Sequence, residues 1–169
     1  MTTIIGYALF ILFPLAMAYA AISDVLTMTI PNRLSLALVL VFFLLAPVVG
    51  IGLEDLARHV AAAAIVLAVC FALFAFGWFG GGDAKLAAAI ALWLGLDHTL
   101  PFVMQTAIWG GLLTLALLAF RQYTLPVFAV GRQWIERLHD RKVGVPYGVA
   151  LAAAAVAVYP QTPWFGFAA

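Results

Sequence analysis

Trp78-Phe79-Gly80-Gly81-Gly82-Asp83-Ala84-Lys85 sets three glycines and a carboxylate between two long apolar segments, in a chain of 169 residues of which only 9% are charged. An ionisable group so close to a membrane interior is costly, and is by default a functional hypothesis. Outward from this stretch the chain is 67% hydrophobic, with a mean hydropathy of +1.16. Such a composition excludes a soluble domain, because uncharged apolar runs of about 18 residues or more read as membrane spans. A net charge of +1 with no basic arm leaves no footprint for nucleic acid, which would need clustered Lys and Arg on an accessible face.

Cutting at charged residues yields six apolar runs: 4–22, 34–53, 60–82, 86–96, 99–120 and 143–169. The expected fold is therefore all-α, a polytopic membrane protein with six transmembrane helices in a single membrane-embedded domain, 1–169. The fourth run is short. At about 1.5 Å per residue it covers roughly half of a hydrocarbon core about 30 Å thick. Either its helix starts at the glycines and takes Asp83 with it, or Asp83 lies recessed below the membrane surface. Ala18-Tyr19-Ala20 imitates a leader cleavage site, but no Lys or Arg precedes the first run, so a retained first span is expected.

Positive charge sets the orientation. With the N-terminus outside, the cytoplasmic loops hold Arg33, Lys85, Arg121, Arg132, Arg137, Arg141 and Lys142, and only Arg58 lies on the other side. The expectation is N-out and C-out, with Asp24 and Asp83 both at the cytoplasmic face. Between the fifth and sixth runs, Val127, Val130, Trp134 and Leu138 recur at helical spacing opposite Arg132, Gln133, Glu136, Arg137 and Arg141. This predicts an amphipathic helix along the interface, anchored by Trp134, with its arginines toward anionic lipid.

Seven acidic residues are available. Glu54, Asp55 and Asp97 fall in predicted outer loops beside Arg58, His59 and His98, as solvated charge. Glu136 and Asp140 are spaced to pair with the arginines of the interfacial segment. Asp24 and Asp83 remain, each at the same end of an apolar run. After Asp24, Pro31 fits the start of the second span, where Asn32 and Ser35 can satisfy free backbone N–H groups. Two carboxylates within a few ångströms in a low-dielectric setting cannot both ionise easily, so one proton is shared between them. The ionised member can draw a proton from water and the protonated one can polarise a peptide carbonyl. That is aspartic-protease chemistry. The glycines fit it, since without Cβ atoms they let a backbone or an extended substrate approach closely.

The pair Asp24-x6-Pro31-Asn32 and Gly80-Gly81-Gly82-Asp83-Ala84-Lys85 resembles the two aspartate motifs of the type IV prepilin peptidases, membrane proteases of the GxGD class. The second motif matches GxGDxK in every fixed position. Val145-Pro146-Tyr147-Gly148-Val149 is similar to the proline-tyrosine-glycine segment of that family. The resemblance implies that Asp24 and Asp83 are the catalytic pair and that Gly80, Gly82, Lys85, Pro31, Asn32, Pro146, Tyr147 and Gly148 shape the site, Lys85 tuning Asp83 or anchoring the site at the headgroups. It implies prepilin or pseudopilin substrates, cut after a glycine at the cytoplasmic face of the inner membrane, with lipids as surroundings and room for a homo-oligomer. Larger members carry paired CxxC motifs and methylate the new N-terminus. Here Cys70 stands alone, and the likeness is to the short form serving Flp/Tad pili, without methylation. Archaeal preflagellin peptidases are a short alternative.

No cofactor or metal is expected, because His59, His98 and His139 fall on predicted loops on opposite sides and lack paired ligand spacing. A small transporter using Asp24 and Asp83 as a proton or cation path is the rival from another class, but it gives no reason for Gly80, Gly82 and Pro31-Asn32. A signal-peptide-peptidase-like protease needs its first aspartate in mid-span, whereas Asp24 follows Ser23 at a span end.

Overall fold

The computed structural model describes residues 2–126 and 129–166, the side chains of residues 2–10 and of Gly166 excepted. Among them the fold is all-helical: α1 (Thr2–Thr27), α2 (Asn32–Val49), α3 (Leu53–Ala75), α4 (Gly81–Leu94), α5 (Leu96–Phe120), α6 (Gln133–His139), α7 (Tyr147–Val158) and α8 (Pro163–Gly166), with a 3-10 turn at Tyr159–Gln161. By length and apolar character, α2, α3 and α5 can each cross a membrane. The apolar stretch 147–161 around α7 is shorter.

Helix α4 explains the short fourth run. Every side chain from Leu86 to Leu94 is buried, because α2, α3, α5 and α7 all pack around this helix. A helix apolar on all faces belongs inside its bundle, and one sheathed by protein need not match the thickness of the lipid. Its fourteen residues extend about 21 Å. Alanines at 84, 87, 88, 89 and 91 keep it thin, so that the surrounding backbones approach closely.

The far end of α4 is fixed by hydrogen bonds to carbonyls that a helix C-terminus leaves free. His59 Nδ1 meets the Leu92 carbonyl at 2.7 Å, and the Trp164 indole N–H donates to the Trp93 carbonyl at 2.7 Å. Trp93 itself donates to Leu38 O of α2 at 2.9 Å. Phe13, Phe42, Tyr159 and Trp164 pack their rings about this point, Phe13 stacking on Tyr159 at 4.4 Å. Gly95 turns α4 into α5 at φ +78°, and a Cβ there would lie 3.0 Å from the His59 ring. The site end of α4 thus projects from an anchored base.

Several sequence expectations are corrected. The sixth run does not form one long helix: α7 ends at Val158, and Pro160 and Pro163, which lack backbone N–H donors, set the 3-10 turn and the separate start of α8. Trp164 returns over Trp93 as a result. His59 is not a loop residue but a buried side chain of α3. Glu54 and Asp55 open α3 and Asp97 opens α5, where negative charge complements the helix dipole. Arg58 pairs with Asp97 at 2.9 Å.

The interfacial segment is shorter than its periodicity predicts. Val127 lies outside the described residues, Val130 falls in a turn, and the helix runs only over Gln133–His139. Glu136 and Asp140 do not pair with arginines; they accept the backbone N–H groups of Gly131 at 2.7 Å and Lys142 at 2.9 Å. Arg137 Nη1 donates to Leu26 O at 3.0 Å, and Arg141 Nη2 to Arg121 O at 3.3 Å. Arg137 ties α6 to the end of α1, and Arg141 ties the loop after α6 to the end of α5.

Candidate active site

Asp24 lies on the last turn of α1 and Asp83 on the first turn of α4. Gly80 caps α4 with extended backbone (φ −74°, ψ 139°), so the helix begins at Gly81 and carries Asp83 with it. Of the two starts open to the fourth run, the first is the observed one. A carboxylate in a first helical turn meets the free N–H groups and the positive end of the dipole. Both aspartates face one cavity of about 260 Å³, walled by Met28, Thr29, Ile30, Asn32 and Gly80 to Gly82. They are close enough for the charge of Asp24 to act on Asp83. Asp24 is buried and Asp83 half-buried.

The turn after α1 is built by hydroxyls. Ser23 Oγ donates to Thr29 O at 2.9 Å, and Thr27 Oγ1 donates to Ser23 O at 2.7 Å and lies 2.7 Å from the Thr29 hydroxyl. The chain reverses through Met28 at φ +54°, a left-handed conformation uncommon for any residue but glycine and found most often at functional turns. This reversal brings Ile30 back under the aspartates. Ile30 is buried and wedges between two glycines. A Cβ on Gly82 would lie 3.4 Å from Ile30 Cβ, and a Cβ on Gly148 would lie 2.8 Å from Ile30 Cδ1. Pro31 then leads into α2, whose first residue is Asn32.

The expected capping role of Asn32 and Ser35 is not what the structure has. Pro31 occupies the cap position and no side chain caps α2. Asn32 Oδ1 instead accepts Lys85 Nζ at 3.0 Å, which links the Pro-Asn motif to the glycine-aspartate motif. The Ser35 hydroxyl is buried with no hydrogen-bond partner.

The third motif reaches the site across 124 positions. Gly148 N–H donates to Asp24 Oδ2 at 2.7 Å, from the first turn of α7, which starts at Tyr147 after Pro146. The Tyr147 ring sits edge-on to Phe79 at 5.6 Å and occupies the space a Cβ of Gly110 would need, its hydroxyl oxygen 2.6 Å from that position. Gly110 is therefore a close packing point; Gly111, with nothing within 4 Å, is not.

Residues 11–115, well over half the chain, match the model of the type IV leader peptidase family. The chain belongs to the type IV leader peptidase family. It is accordingly a peptidase of a membrane-embedded family with prepilin-like substrates. Among curated proteins and among solved structures, none matches the chain. The family match takes in both aspartates and stops before Pro146, Tyr147 and Gly148, so the third motif is joined to the aspartate cavity by its contact with Asp24 rather than by the match.

Three features of this candidate site were not read from the sequence. Ile30 is an ordinary apolar residue before a proline. Ser23, Thr27 and Thr29 did carry a signal, hydroxyls clustered around an aspartate in an apolar chain. Arg121 was counted only as a topological charge, yet it is buried, donating through Nε to Leu138 O at 2.7 Å and through Nη2 to Gly144 O at 2.9 Å. It holds the loop that delivers Pro146 and Gly148. Arg121→Ala leaves those carbonyls without their charged donor and is expected to destabilise the protein by about 1.5–3 kcal/mol, the range for hydrogen bonds to charged groups. Thermal unfolding in detergent measures this, and Arg121→Lys should recover only part, since an ammonium lacks the guanidinium fork.

Proposed function

We propose that the chain is an aspartic endopeptidase that cuts the leader from prepilin-like proteins at the cytoplasmic face of the inner membrane, with Asp24 and Asp83 as the catalytic pair and without methylating its product. The observation that carries this reading is the common cavity of the two aspartates, bordered by the glycine motif on one side and by Ile30 and Asn32 on the other. The six-span, N-out and C-out plan goes with it, and Gly80, Gly82, Lys85, Pro31, Asn32, Pro146, Tyr147 and Gly148 serve as the frame.

The Gly148 N–H, which donates to Asp24 Oδ2, favours the ionised form of Asp24, and a charge held there leaves Asp83 to carry the shared proton. Asp24 takes a proton from water as the water oxygen attacks the scissile carbonyl, and Asp83 donates its proton to the developing oxyanion. The tetrahedral intermediate then collapses: the carbon–nitrogen bond breaks, the leaving nitrogen takes the proton held on Asp24, and the oxygen returns its own to Asp83. The leader departs with a new carboxylate and the mature protein with a new amine.

Co-expression with candidate pilin precursors, reading leader removal by mass, tests the proposal; intact precursors throughout would overturn it. Cleavage is expected to survive chelators unchanged, and activity lost to a chelator and restored only by zinc would overturn the metal-free mechanism.

A further inference from the structure

Helices α2 and α3 both pack on α4 but hardly on one another, which leaves a groove of about 440 Å³ between them with α4 as its floor. Its hollow comes from small residues at matching positions, Ala63 and Ala64 on α3 and Ala88 and Ala89 on α4. The two ends differ in chemistry. Asn32, Ser35 and Lys85 lie at the end nearest the aspartates, and Phe43, Val60 and Leu92 at the other.

At the first end a cation lacks a counter-ion and a hydroxyl lacks a hydrogen-bond partner. Lys85 is exposed and donates to the neutral Asn32 side chain; the one ion pair among the described residues is Arg58 with Asp97. The Lys85 charge thus faces no carboxylate. Ser35 is only 7% exposed and its hydroxyl has no acceptor. A helical serine commonly bonds the carbonyl four residues back, but here that bond is not made. An unmade hydrogen bond is costly in a buried setting, so a ligand acceptor here would be favoured.

Dimensions select the occupant. Asn32 to Phe43 is eleven steps along α2, about 16 Å, which equals roughly one leaflet of a hydrocarbon core about 30 Å thick. The groove is open on its outer side and about as long as one leaflet is thick, the form that receives a single extended hydrocarbon chain lying along it. Basic pockets between membrane helices are known seats of anionic headgroups.

We propose that this groove holds one acyl chain of an anionic phospholipid, its phosphate on Lys85 and its ester linkage accepting from the Ser35 hydroxyl. The lipid would brace the pair Lys85–Asn32, two residues after Asp83 and two after Ile30. The inference is independent of what the aspartates cut.

The test is native mass spectrometry of the full chain from detergent, with phosphatidylglycerol and phosphatidylcholine of matched acyl chains as probes. One phosphatidylglycerol per chain is expected, retained about tenfold over phosphatidylcholine. Lys85→Gln should erase the headgroup preference, Ser35→Ala should lower retention of both lipids, and Ala64→Phe, on the exposed wall, should expel both. Equal retention of the two lipids by the unaltered chain, an annular lipid only, overturns the proposal. So does a preference that survives Lys85→Gln, or disulfide trapping of a co-expressed precursor at Ala64→Cys, which would give the groove to the substrate. Peptidase activity is not the readout, so failure here leaves the peptidase reading untouched.

Discussion

Asp24→Asn and Asp83→Asn are each expected to reduce leader cleavage by about 10²–10⁴-fold, the contribution of a positioned acid or base, while the protein still accumulates in the membrane. The asparagine at 24 keeps an oxygen for the Gly148 N–H now made at 2.7 Å, so the frame survives and only proton transfer is removed. At 83 the same exchange leaves an amide that donates a hydrogen bond but cannot deliver a proton. Asp83→Glu is the more discriminating change. Its extra methylene drives the carboxyl out of a position set by the first turn of α4, and an ångström of misplacement suffices for a loss of about 10²-fold. A proton-conducting role would tolerate the longer acid, because a path needs a titratable group but not a fixed angle of attack. Precursor processing at the unaltered rate in either asparagine variant would sink the pairing. Processing retained in Asp83→Glu would favour the transport reading.

The physical source of each feature decides how far it was legible in the sequence. Hydrophobic runs located helices α1 to α5 and α7, since a membrane enforces helix formation on any apolar stretch. The run lengths were less informative. A span facing lipid must match its thickness, but α4 is packed among four other helices, and the sequence of such a helix does not say what surrounds it. Asp83 could be placed from the glycines before it, because a carboxylate beside flexible backbone at an apolar boundary is costly wherever it lies. Gly148 against Asp24 and Arg121 against Gly144 O could not, for these are tertiary contacts with no periodic signature. Ile30 is the clearest case. Its side chain separates two motif glycines, yet nothing distinguishes it in sequence from the other apolar residues. The interfacial helix was overread for a related reason: Val130 and Leu138 share a helical period, but Gly131 at φ +85° starts a new segment between them, and the charges opposite found backbone partners instead of one another.

Gly148→Ala is expected to be as damaging as the loss of a carboxylate, through geometry alone. The added Cβ would lie 2.8 Å from Asp24 Oδ2, 2.8 Å from Ile30 Cδ1 and 3.2 Å from Asp24 Cβ. The Asp24 carboxylate cannot yield cheaply, because it is held by the very N–H that the altered residue carries, and Ile30 Cδ1, the tip of a buried side chain, must shift as well. Overpacking of this kind typically costs about 1–3 kcal/mol of stability. The larger effect is on rate: moving Asp24 by about 1 Å from its place opposite Asp83 lowers kcat by about 10²-fold. A second change separates the two causes. Ile30→Val removes the Cδ1 atom that the new methyl would strike and leaves Asp24 unchanged. In the Gly148→Ala background it should therefore recover stability, read as the midpoint of thermal unfolding, while recovering little of kcat. Recovery of both to the unaltered level would mean that the glycine serves only to admit Ile30. Recovery of neither would mean that backbone, not these side chains, fixes the approach of α7. The expected split, stability restored and turnover still impaired, identifies Gly148 as the residue that sets where Asp24 stands.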